Sequence, residues 1–262
     1  MPKTLPENDA LLPAAIGLFF TAILLLSCRL YLYGAGILVL LILLYTFSRR
    51  HRPVLSLFIG FLTGTALYQA SSDFLFAFWD VTKEWKVIGN RSFLLFILAG
   101  SLLAIRFSGQ KASFFAKAPD WRKRIVMPNH TVPLPLFLTF GLIGSVSIFL
   151  PLLFTDGAYP RSLLLYGLVF SLLNASLEEF LWRGVLLDYL QKNLSTVHAV
   201  IITSIGFGLL HFSIGIPLVF SLLFSFGGLF YAWVVLKTDS IYPAVFFHFL
   251  INMGMVLNGW IF

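Results

Sequence analysis

Apolar residues along this chain gather in long runs separated by short polar or basic stretches. The runs fall at 12–28, 33–48, 54–70, 92–107, 134–154, 162–187, 197–212, 216–236 and 241–260. A membrane-spanning helix needs about 20 mostly apolar residues, with about 17 as a lower limit. The second and fourth runs are short, so the pattern predicts eight or nine spans. None has the strict two-residue alternation of a barrel strand. In lipid only helices and closed barrels satisfy their own backbone, and the expected fold is an all-α, polytopic transmembrane helical bundle. Segment 71–91 mixes Phe74, Phe76, Phe78 and Trp79 with Asp73, Asp80, Lys83 and Glu84. It reads as an interfacial helix or loop rather than a span.

Composition agrees with a chain that lives in lipid. Of 262 residues, 59% are hydrophobic and 11% charged, where a soluble domain carries about a quarter charged. The net charge of +7 does not point to nucleic acid, because the basic residues sit in loops, at Arg49-Arg50-His51-Arg52 and between Arg106 and Arg124. Two spans separate these loops, which puts both on one side, and the positive-inside bias makes that side cytoplasmic. Continuing the count, the connection 188–196 and the Lys237-Thr238-Asp239 turn fall on the same side. Compact loops fit a bacterial inner membrane. The single cysteine, Cys28, excludes an intrachain disulfide and a cysteine metal cluster. Lys3 precedes the first apolar run, but Glu7 and Asp9 spoil a signal peptide's positive region, and Leu26 fits a lipoprotein site at Cys28 poorly. The first run is therefore read as a transmembrane helix. Organisation follows as N-terminal spans over 1–110, a proline-punctuated basic loop over 111–133 and a C-terminal group of spans over 134–262.

Ionisable groups inside hydrocarbon are expensive and mark function by default. The C-terminal half has three such places: Glu178-Glu179 with Arg183, His211, and His248 with Asn252. Glu179 and Arg183 are four apart with the acid N-terminal, the favoured orientation for a helical ion pair. Glu178 lies about 100° around the helix, free to face a cavity. His248 and Asn252 share a face of the last helix. Counted from the turn near 192–197, Glu178 and His211 each lie about 21 Å deep, while His248 and Asn252 lie about 12 and 18 Å from the turn at 239–240. Four polar residues on three helices thus reach similar depths from one face. Alone, a buried histidine more often packs than acts, and a Glu–Arg pair more often fixes a helix interface. Together, at matched depth, they predict a site. His51, His130 and His198 fall in or beside loops and receive no role. Trp182 and Tyr231 read as packing or interface anchors.

These residues resemble the CPBP family, which includes the type II CAAX prenyl proteases and the bacterial Abi (lysostaphin-resistance-like) proteins. The family pattern is EExxxR, then FxxxH, then HxxxN or HxxxD. The chain has Glu178-Glu179-Phe180-Leu181-Trp182-Arg183, then Phe207 to His211, then His248-Phe249-Leu250-Ile251-Asn252. Each motif alone is weak; the ordered set is specific. The resemblance covers about residues 134–262, and the first four spans carry no motif. It implies an endopeptidase acting at or within the membrane on a membrane-anchored or lipidated peptide. Glu178 and His211 would activate water, His248 and Asn252 would donate to the oxyanion, and Glu179 and Arg183 would hold the helix. A deep site of this kind also calls for a water-filled cavity open to the cytoplasm.

Metal dependence stays open at this level. Glu178, His211 and His248 have the donor types of a three-ligand zinc site. Binding zinc would remove Glu178 as base, however, and the HExxH spacing of zinc proteases is absent. A metal-free glutamate mechanism without a cofactor is preferred, with zinc as its alternative. Two other readings compete: a transporter, whose embedded acids and histidines form proton relays, and a non-catalytic immunity or scaffold protein. No internal symmetry supports the transporter, since Pro217 and Pro243 sit at helix starts. The filled motif set counts against the scaffold.

Overall fold

Leucine-, isoleucine- and phenylalanine-rich runs become helices wherever the sequence places them. The computed structural model describes residues 10–154 and 161–261, so Lys3, Glu7 and Asp9 lie outside it. Helices α1 (Leu11–Ser27), α2 (Tyr31–Phe47) and α3 (Arg52–Phe78) are followed by α4 (Lys83–Ser92) and α5 (Leu94–Phe107). A short antiparallel hairpin pairs β1 (Arg124–Val126) with β2 (Thr131–Pro133). Then come α6 (Leu134–Val146), extended by a 3-10 segment to Phe154, and α7 (Arg161–Glu179), extended by a π-helical segment, Phe180–Leu187. The rest comprises α8 (Asp188–Asn193), α9 (Thr196–Leu210) with a 3-10 turn His211–Ile214, α10 (Leu218–Thr238) and α11 (Tyr242–Leu257). The chain is an all-α polytopic integral membrane protein. Among the described residues six helices are long and apolar enough to cross a membrane, and Leu11–Ser27, Tyr31–Phe47 and Tyr242–Leu257 are shorter apolar helices.

Segment 71–91 is not the interfacial stretch its composition suggests. Helix α3 continues through it to Phe78, and Lys83–Phe107 forms one 25-residue apolar helical stretch. Ser72 and Asn90 turn inward, while Asp80, Lys83 and Glu84 are exposed. Tyr68 donates to Asn90 Oδ1 at 3.1 Å, and Asn90 donates to Ser72 Oγ at 2.7 Å. Asp73 accepts from Arg29 and Tyr31 at the surface. Hydropathy averaging treats groups that pair with each other as if they sought water.

Without a hydrophobic drive between helices in lipid, close backbone approach through small residues holds spans together. Gly60 of α3 meets Gly100 of α5 so tightly that a Cβ on either would strike the other's carbonyl oxygen. Helices α9 and α10 meet likewise, Gly208 against Ser221 and Ser225, and Gly228 against Ser204. One hydrophobic core joins both halves of the chain, running from Leu12, Phe19 and Phe61 to Trp182, Phe207 and Phe247. Trp182 and Tyr231 lie inside it, almost fully buried, so they pack and do not anchor at an interface.

The basic loop is tied to one end of the bundle. Ser113 donates to both Asp188 oxygens at 2.7 Å, and Gln110 exchanges hydrogen bonds with Asn193 at 3.0 Å. Ile241 N donates to Phe115 O, Lys237 donates to Val126 O, and Lys123 pairs with Asp239. The loop therefore lies with the turns after α8 and α10, on the same end.

Candidate functional site

Helix α7 carries Glu178 and Glu179 into the protein interior, where they are 2% and 0% exposed. Arg183, four residues on in the π-helical segment, donates to Glu179 Oε1 at 2.8 Å and to Gly228 O of α10 at 3.0 Å. Its guanidinium also lies over the rings of Phe207 and Tyr231, 4.6 and 5.2 Å from their centroids. A fully buried cation is thus met by one carboxylate, one carbonyl and two π faces, the partners that make such burial tolerable.

Helix α11 delivers His248 between the two glutamates. Nδ1 donates to Glu179 Oε1 at 2.8 Å, while Nε2 lies 3.6 Å from Glu178 Oε2. Tyr231 lies parallel to the imidazole, with centroids 4.8 Å apart, and fixes its plane. Asn252, one turn further along, is buried, and its Nδ2 has no hydrogen-bond partner among the described residues. Buried amide donors are nearly always satisfied, which sets this one apart from an ordinary packing amide.

His211 opens the 3-10 turn after α9 and is half-buried. Its Nδ1 donates to Phe207 O at 2.8 Å. A carbonyl can only accept, so in the neutral ring Nε2 keeps its lone pair and can take a proton. Phe224 stacks on the imidazole at 4.2 Å, and Phe207 stands edge-on between it and His248.

Two contacts to Glu178 come from residues the sequence analysis did not single out. Asn174, one turn earlier on α7, donates to Oε2 at 3.3 Å, and Arg91 of α4 donates to Oε1 at 3.4 Å. Asn174 was recoverable from its four-residue spacing to Glu178. Arg91 lay in the stretch misread as interfacial; read as part of a span, it would have stood out as a charge in lipid.

Glu178, His211 and His248 each engage protein partners. One Glu178 oxygen faces a guanidinium and the other an amide donor, and Glu179 engages His248 Nδ1. Among the described residues no group of three or more His, Cys, Asp or Glu side chains is placed to hold a metal ion.

Two apolar cavities, of about 380 and 680 Å³, lie along α6, α10 and α11 and share Phe247, the neighbour of His248, in their walls. Neither wall includes Glu178, His211 or Asn252.

A family model, type II CAAX prenyl endopeptidase Rce1-like, matches residues 160–254. No curated protein and no solved structure matches the chain.

Proposed function

With residues 160–254 forming a type II CAAX prenyl endopeptidase Rce1-like domain, of a family of intramembrane proteases, we propose that this chain hydrolyses a peptide bond in a membrane-anchored or lipidated substrate, using Glu178 and His211 to activate water. The observation that carries the reading is the pairing of an acceptor set with a donor set in one buried place. Glu178 Oε2 and His211 Nε2 are proton acceptors, and Asn252 Nδ2 is a donor without a partner.

The steps follow from these atoms. Water loses a proton to Glu178 as its oxygen attacks the scissile carbonyl, with the neutral His211 ring orienting it. Charge moves to the carbonyl oxygen, where Asn252 Nδ2 donates. His248 donates there as well when its ring is doubly protonated, because Nδ1–H is already given to Glu179 and only a second proton gives Nε2 something to donate. Glu178 then passes its proton to the leaving amine. Glu179 and Arg183 do not touch the substrate; they aim His248 and hold α7 against α10.

The basic loops and the turns after α8 and α10 form the cytoplasmic end, following the positive-inside bias, and the protein sits in a bacterial inner membrane. Substrate enters along α11 at Phe247, which both apolar cavities share. Two buried carboxylates could also serve a proton relay, but a donor set aimed at a developing oxyanion has no use in a transporter.

The test uses purified full-length chain in detergent. A peptide ending in a farnesylated CAAX box is presented beside a set of single-span transmembrane peptides, with and without a strong chelator. Cleavage by the wild type, its loss in Glu178→Gln and indifference to the chelator are expected. Equal cleavage by wild type and Glu178→Gln would sink the assignment, and loss on chelation restored by zinc would move Glu178 into a metal shell.

A further inference from the structure

We propose that Arg91, on a helix outside both the matched domain and every motif, is a positioning residue of the site: it occupies Glu178 Oε1 and leaves Oε2 as the oxygen that takes the proton. The inference rests on the proposed role of Glu178 as base.

Three observations converge on it. Arg91 is buried, 7% exposed, with Nη1 3.4 Å from Glu178 Oε1. On the other side of this carboxylate Asn174 Nδ2 donates to Oε2 at 3.3 Å, and His248 Nε2 lies 3.6 Å from the same oxygen. The two oxygens therefore differ. One is engaged by a fixed cation from the N-terminal half, and the other shares its side with His248, whose helix also carries Asn252.

The second observation is that α4 does not need Arg91 to dock. Asn90, its neighbour, already joins α4 to α3 through Ser72 and Tyr68, and Gly89 packs against Leu75. A guanidinium in hydrocarbon is costly, and a helix secured by other contacts gains little from one as a fastener. The third is that Arg91 Nε is buried with no partner among the described residues. One donor of this guanidinium is thus left over next to Glu178, on the same side chain that engages Oε1. The reacting centre is then built from both halves of the chain, with α4 contributing as directly as α7, α9 and α11.

The experiment compares wild type, Arg91→Ala, Arg91→Lys and Glu178→Gln on the farnesylated CAAX-box peptide, with the full chain in detergent. A misaimed base can lose about 100-fold in rate from displacement alone. Arg91→Ala is expected to lower kcat by about that factor with KM held within about twofold, the pattern of a contact that matters in the transition state. Guanidinium added at non-denaturing concentration should restore part of kcat to Arg91→Ala, and Arg91→Lys should fall between. A structural fastener would instead lower the melting temperature and show no rescue, and that result overturns the proposal. If Glu178→Gln is inactive while Arg91→Ala cleaves like wild type, the functional reading stands and this inference alone falls. If Glu178→Gln cleaves like wild type, both fall. An independent readout needs no substrate. The infrared band of the Glu178 carboxylate, isolated as the difference from Glu178→Gln, should move on Arg91→Ala; an unmoved band overturns the contact.

Discussion

Glu179 and His248, 69 residues apart in sequence, meet at 2.8 Å between Oε1 and Nδ1. Because Arg183 donates to the same oxygen at the same distance, one carboxylate both neutralises a buried cation and sets the direction of an imidazole. Glu178 and Glu179 are neighbours, yet they do different work. Glu179 gives Oε1 to both Arg183 and His248 and keeps Oε2 without a partner among the described residues, whereas Glu178 receives Arg91 on one oxygen and Asn174 on the other.

Removing either partner of the Arg183–Glu179 pair should be the most damaging polar change to stability. Both side chains are fully buried, and breaking a buried pair leaves a charge uncompensated at about 3–5 kcal/mol. Glu179→Ala and Arg183→Ala should each lower the thermal midpoint in detergent far more than Glu178→Gln does. Similar midpoints for all three would refute the assignment of a structural role to Glu179 and a chemical one to Glu178.

Asn252→Ala should spare folding and spoil turnover. Its Nδ2 supports no contact that the protein itself needs, so little stability is lost. An oxyanion donor is worth about 10²–10³ in kcat, and a loss of that size with KM nearly unchanged is expected in steady-state kinetics. A change confined to KM would place Asn252 in substrate binding instead.

The stacking partners of the histidines offer a graded test. Tyr231→Phe keeps the ring against His248 and should retain most activity, while Tyr231→Leu frees the imidazole and should lower kcat by about 10-fold or more through misorientation. Equal rates for the two variants would show that the stack is not needed to aim His248.

Gly60→Val should prevent tight packing of α3 on α5. The added Cβ falls on Gly100 O, and backbone cannot move aside as a flexible side chain can. Overpacking of this kind costs about 1–3 kcal/mol or more, readable as a lower thermal midpoint. Gly36→Val, at a glycine with open space around it, should be nearly neutral and serves as its control.

Much of this arrangement was legible in the sequence, for reasons tied to particular residues. Long apolar runs fix where helices lie, and the runs at 54–70 and 216–236 reappear within α3 and α10. Glu178, His211, His248 and Asn252 stood out because charge or hydrogen-bonding capacity in hydrocarbon needs a reason. Arg91 escaped because Lys83, Glu84 and Lys86 precede it, and averaging over that stretch hid a helix whose far turns are buried. The Tyr68–Asn90–Ser72 network escaped for the same reason, since its members neutralise each other only once α3 and α4 are side by side. The hairpin Arg124–Val126 with Thr131–Pro133 is short, and nothing in its composition distinguishes it from the surrounding loop. Stacking of Phe224 and Tyr231 on the histidines is a matter of helix rotation, which a one-dimensional pattern does not fix.

The π-helical stretch from Phe180 to Leu187 has one more implication. Each π turn takes up a residue more than an α turn would, so this stretch stores extra chain length between the glutamates and Asp188. Deleting one residue after Arg183 would let one π turn relax into an α turn, with Asp188 and Lys192 keeping nearly their present facing toward Ser113 and Lys111. Deleting one before Arg183 would instead break its four-residue spacing to Glu179. The slack in this stretch is therefore usable on one side of Arg183 and not on the other.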